Sequence, residues 1–105
     1  PEERDIAVAV DRFEPATGQA VGRVRSRWAG LRSFVADKSP VVGFDPSAAG
    51  FFWLVGQGGY GIQTAPAMAR AASALAQRRP LPDDLLAHGV RTEDLAPGRP
   101  TLREA

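Results

Sequence analysis

Apolar and polar positions change their period several times along the chain. Ile6, Val10 and Phe13 recur at helical spacing behind Pro1, Glu2, Glu3 and Asp5, so residues 1–14 read as an amphipathic helix with acidic side chains at its positive end. Pro15 and Gly18 are expected to close it. Val24, Ser26 and Trp28 then alternate with Arg23, Arg25 and Arg27, the period of a strand with a basic outer face. Residues 20–36 thus read as a strand running into the turn Trp28-Ala-Gly-Leu-Arg-Ser33. Three arginines on one face could form a phosphate track, but a solvated or salt-bridged face is the favoured reading.

Pro40-Val-Val-Gly-Phe44 predicts a short strand and Asp45-Pro-Ser-Ala-Ala-Gly50 a tight connection. Phe51-Phe-Trp-Leu-Val55 is apolar on both faces, which predicts a central strand covered on both sides. The short connection makes the pair antiparallel. After Gly56–Gly61, a stripe of Ala65, Met68, Ala69, Ala72, Leu75 and Ala76 predicts a helix over 62–77. Pro66 falls near its start, and Arg78 and Arg79 suit its C-terminus. Leu81–His88 predicts one short helix ended by Gly89, and the tail beyond Val90 reads as surface wrapping. The fold class is α+β: an N-terminal helix, short mostly antiparallel strands, and a glycine-turn-to-helix unit packing on the sheet.

Composition narrows the functions. The 105 residues carry 13 basic and 12 acidic side chains, a formal charge of +1, which argues against a nucleic-acid clamp. The absence of cysteine removes disulfides, thiolate metal sites and a Cys nucleophile, and a single histidine leaves little room for zinc. The longest apolar stretch, Gly50–Gly56, is far short of the ~20 residues that span a bilayer. No signal peptide is read at the start, so a cytoplasmic location is expected. Eleven glycines and nine prolines make the chain rich in turns, and with its start at Pro1 it is expected to be trimmed or part of something longer.

The strongest motif is Gly56-x-Gly58-Gly59-x-Gly61 between a strand and a helix. Glycines let backbone N–H groups approach a ligand, and a helix N-terminus favours an anion or an electron-rich carbonyl. Three readings stand. A dinucleotide-binding unit would need a second parallel strand with an acidic end, but Arg78-Arg-Pro-Leu-Pro-Asp-Asp84 is too broken by proline to supply it. The turn could be purely structural, or it could aim a helix start at a cofactor. Arg32, between Leu31 and Phe34, could grip a carboxylate bidentately or form a structural ion pair. His88, with Asp83 or Asp84, lacks a nucleophile and reads as structural.

Three stretches in order carry a resemblance: Trp28-Ala-Gly-Leu-Arg-Ser, Ser39-Pro-Val-Val-Gly-Phe-Asp-Pro, and Gly50-Phe-Phe-Trp-Leu-Val-Gly-Gln-Gly-Gly-Tyr-Gly-Ile-Gln-Thr-Ala-Pro-Ala. They resemble the C-terminal part of the FAD-dependent amine and amino-acid oxidoreductases, the relatives of D-amino-acid oxidase, glycine oxidase and sarcosine oxidase. The resemblance covers roughly residues 5–99, and the closing Asp94-Leu-Ala-Pro-Gly-Arg99 is similar to the usual end of that family. It implies that residues 1–105 are the C-terminal segment of a larger enzyme. Substrate-domain strands would lie in 20–55, a flavin-facing loop and helix in 56–77 and the tail in 78–105. The FAD-binding N-terminal part of the same protein and an amino-acid or amine substrate would be the partners.

By the same resemblance, Arg32 matches the arginine that holds the substrate carboxylate. Gly58, Gly59, Tyr60, Gly61, Ile62 and Gln63 match the stretch whose backbone amides face the flavin pyrimidine, with Tyr60 also near the substrate at the mouth. The implied activity is oxidation of a C–N bond with FAD as hydride acceptor, and no general base is visible in this chain. Ser33 stands where the family often has Pro, and the lack of Cys excludes a thioether link to flavin through this segment. The alternative is a small α+β binding or structural domain with no catalysis of its own.

Overall fold

The structure, a computed structural model, describes residues 1–103 in two compact units, residues 1–31 and the chain from Arg32 onward. In the first unit α1 spans Glu3–Thr17, with Glu3 and Asp5 in its first turn. Pro15 does not close it, contrary to the sequence expectation. It removes only the N–H that would bond the Asp11 carbonyl, and Asp11 is exposed to water that can take its place. The stop is Gly18, in the left-handed region at φ 69, whose N–H bonds the Glu14 carbonyl at 2.8 Å.

The strand expected over 20–36 does not form. Residues 19–35 are irregular, and Trp28 is 81% exposed. Alternation only sorts side chains between two faces. A strand also needs a neighbouring strand for its N–H and C=O groups, and among the described residues this segment pairs with none. Arg27 of the basic face pairs with Glu3 of α1.

In the second unit β1 (Val41–Phe44) and β2 (Phe52–Val55) pair antiparallel, with Val41 opposite Val55 and Phe44 opposite Phe52. Asp45 shapes the connection. Its carboxylate accepts the Ser47 and Ala48 N–H groups at 2.7 and 2.8 Å and the Trp53 indole N–H at 2.8 Å. These donors, the indole foremost, hold the carboxyl below its ordinary range. β2 is not the central strand its sequence suggests. Among the described residues the sheet has two strands, and Leu54 is 44% exposed. An apolar run measures how much cover a strand wants, and here Leu54 does not receive it.

α2 (Gly61–Ala76) follows a 3-10 turn over Gly58–Tyr60 and packs on the sheet. Its buried stripe is Met68, Ala71, Ala72 and Leu75, whereas Ala65, Ala69 and Ala76 face out. Alanine has too little side chain to set the phase, so Met68 and Leu75 set it. Pro66 lies inside the helix, and the Ile62 carbonyl it leaves unbonded belongs to a residue 95% exposed. The core joins Val42, Ala71 and Ala72 to Leu81 and Leu85 around α3 (Asp83–Ala87) and Leu95 of α4 (Thr92–Leu95).

The tail is therefore not surface wrapping. Besides Leu95 it buries Arg99, which is 7% exposed. Its guanidinium grips Asp37 with two bonds of 2.6 and 2.7 Å and also donates to the Ser39, Pro40 and Ala96 carbonyls. Arg70 makes a second bidentate pair, two bonds of 2.6 Å to Asp84 on the surface.

Both carboxylates are more acidic in the folded chain. The Arg99 guanidinium, helped by the Thr101 hydroxyl, holds Asp37 well below the usual range, and Arg70 holds Asp84 at about 2. A folded-state pKa below the unfolded value contributes stability that is complete above the unfolded value of about 4 and is lost as pH falls through the folded one. The melting temperature is thus expected to be level above about pH 5 and to fall steadily below about pH 4. Asp37→Asn should flatten part of that slope. It should also lower the neutral-pH melting temperature by on the order of 10 °C, because the buried guanidinium loses its partner. Asp84→Asn acts on an exposed pair and should cost far less. An acid slope identical in wild type and both variants would rule these two carboxylates out as its source.

Candidate functional site

Between Arg32 and β1 the chain makes a tight loop. The Lys38 N–H bonds the Val35 carbonyl at 2.9 Å, with Lys38 in the left-handed region at φ 62. The loop is tied to the glycine turn at two points. The Gly58 N–H donates to the Ser33 carbonyl at 3.0 Å, and the Tyr60 hydroxyl donates to the Lys38 carbonyl.

The glycines have different tasks. Gly58 sits at φ 61, and a Cβ there would lie 2.6 Å from the Phe34 ring, so both backbone and packing require glycine. Gly59 is the opposite case: a Cβ there would have no heavy atom within 4 Å. Gly61 is helical at φ −60. The left-handed positions of the turn are Gly56, at φ 76, and Gly58.

Arg32, Gly58, Gly59, Tyr60, Gly61, Ile62 and Gln63 line one pocket of about 460 Å³. The residues that the resemblance assigned to substrate and flavin thus line one pocket, whereas His88 and the arginines at 23, 25 and 27 do not. The start of α2 has no side-chain cap and no acidic residue in its first turn. Thr64 turns its hydroxyl back onto the Tyr60 carbonyl at 2.9 Å. First-turn N–H groups without a side-chain acceptor carry the positive end of the helix dipole. Beside them stand a guanidinium, the empty flank of Gly59 and the apolar surface of Ile62.

This donor set suits the electron-rich edge of a planar ring together with a small anion. It fits the pyrimidine edge of a flavin, which needs N–H donors, close backbone approach and no competing carboxylate. The Tyr60 hydroxyl already serves the loop. No group of His, Asp or Glu among the described residues could hold a metal ion. His88 sets its Nδ1 2.7 Å from the Asp84 carbonyl, a local contact at the end of α3. A shallower groove of about 500 Å³ on the outer side of α2 holds Arg70, already bonded to Asp84.

Sequence reasoning missed the clamp of Asp37 and Arg99, which are 62 residues apart. No local pattern joins them. The only signal was Arg99 between two prolines of a turn-rich tail. No described helix is long and apolar enough to cross a membrane. Compared with known families, residues 1–75 match the family described as FAD dependent oxidoreductase. That span holds all the pocket residues and ends inside α2.

Proposed function

The chain belongs to the FAD-dependent oxidoreductases, with FAD as cofactor, and from that membership we propose that it is the C-terminal part of an enzyme oxidising the C–N bond of an amino acid or secondary amine, akin to the D-amino-acid, glycine and sarcosine oxidases. The observation that carries this reading is the shared pocket of Arg32 and the uncapped start of α2. When bound, FAD supplies the two-electron acceptor.

The chain's residues bind and orient. The Arg32 fork holds the substrate carboxylate through two parallel hydrogen bonds. The amides around Gly59, Ile62 and Gln63 would hold the pyrimidine edge, and their dipoles would favour negative charge on it. Gly58 and Tyr60 hold the loop from Arg32 against that turn. Among the described residues the lining holds no carboxylate or imidazole, and in this reading the chain contributes positioning and electrostatics.

Two measurements test the reading. In the longer flavoprotein, an amino acid or N-methyl amino acid should bleach the flavin anaerobically, and its amide should do so much more slowly. Failure of every amino acid and secondary amine to bleach it would overturn the assignment. The 105-residue chain alone should bind FAD weakly or not at all, because the nucleotide half of the cofactor needs a dinucleotide-binding unit outside it. Stoichiometric micromolar binding in a fluorescence titration would refute its role as a segment.

A further inference from the structure

The Arg99–Asp37 clamp lies outside the pocket, yet it holds the segment that joins Arg32 to β1. Arg99 bonds both Asp37 carboxylate oxygens and the Ser39 and Pro40 carbonyls, and Thr101 adds a bond of 2.5 Å to Asp37. The next residue, Lys38, presents its carbonyl to Tyr60, and Ser33 presents its own to Gly58. Phe34 fills the space against Gly58. A C-terminal arginine thus grips one end of a loop whose other end begins at Arg32, and two hydrogen bonds stitch that loop to the glycine turn.

We propose that Arg99 and Asp37 are positioning residues for the pocket: their clamp sets the place of Arg32 against the start of α2. The proposal rests on the reading of Arg32 as the carboxylate anchor. Its physical basis is that a guanidinium binds a carboxylate strongly only with its fork aligned, so a loop free to shift loses orientation before it loses charge. The ordinary role of a buried ion pair is to hold the fold, and that role predicts lower stability alone.

The test uses the FAD-loaded longer protein carrying Asp37→Asn, and in parallel Thr101→Val, which removes only one bond to Asp37 and keeps the charge pair. Two readouts are taken. The first is the ratio of kcat/KM for an amino acid to that for its amide. The second is hydrogen exchange in the peptide containing Gly58, followed by mass spectrometry. Asp37→Asn should lower the ratio about tenfold through KM and should speed exchange at Gly58, on the far side of the loop. Thr101→Val should do the same to a smaller extent.

The double variant Asp37→Asn/Arg32→Lys should lose little more discrimination than Arg32→Lys alone, since both act on one interaction. A lower melting temperature with an unchanged ratio and unchanged exchange at Gly58 overturns the proposal. If Asp37→Asn does not fold, an unchanged ratio and exchange in Thr101→Val overturn it equally. If Arg32→Lys itself leaves the ratio unchanged, the anchor reading fails instead, and the Gly58 exchange decides separately whether the clamp holds the loop.

Discussion

Arg32→Lys in the flavin-loaded longer protein is expected to lower kcat/KM for an amino acid by ~10- to 150-fold while leaving its amide nearly unaffected. The figure corresponds to ~1.5–3 kcal/mol, the range for a hydrogen bond to a charged group. Lysine keeps the positive charge but offers a point ammonium in place of the planar fork. Charge alone therefore cannot restore the alignment. The loss should fall mainly on KM if the carboxylate is held equally in ground and transition states, and on kcat if the grip tightens as the reaction proceeds. Steady-state kinetics on the substrate pair separate these cases. Equal losses on amino acid and amide would show that Arg32 does not read the carboxylate.

Gly58→Val and Gly59→Val should fail in different ways although the residues are neighbours. At Gly58 a side chain must enter the left-handed region and collide with the Phe34 ring, whose nearest atom is 2.6 Å from the Cβ position. Strain and overpacking together are expected to cost roughly 2–5 kcal/mol. At Gly59 the Cβ points into open space, so the melting temperature of the apoprotein should move little. Its effect should appear in the flavin. A side chain on that flank keeps the backbone amides from the ring, weakens FAD binding and makes the potential more negative by roughly 30–65 mV, the two-electron equivalent of one charge-assisted hydrogen bond. Thermal melts of the apoproteins and spectroelectrochemistry of the loaded ones measure both. A Gly59→Val protein that melts early but keeps its flavin at wild-type potential would make the turn structural only.

Legibility followed the range of the interactions. The α2 start, the antiparallel hairpin and the Gly18 stop each depend on residues within a few positions, and each can be read locally. The glycine cluster was legible as a cluster, but the assignment of tasks within it was not. Gly58 and Gly59 differ through Phe34, more than twenty residues upstream, and no spacing rule connects them. The strand over 20–36 failed for the complementary reason. Its alternation is a local property, but hydrogen bonding along a strand belongs to a pair of strands.

The sequence by itself determined the α+β class, the antiparallel pair and the glycine-rich entry to α2, because period, turn chemistry and capping act over a few residues. It also marked every residue that lines the pocket. Only the tertiary structure decided which glycine is structural and which is open, that Leu54 lies on an exposed strand, and that a tail arginine grips the loop after Arg32. A buried guanidinium takes whichever carboxylate and carbonyls the packed chain brings within reach. Asp37, 62 positions away along the chain, becomes its partner only through folding, which leaves no trace in the spacing of either residue.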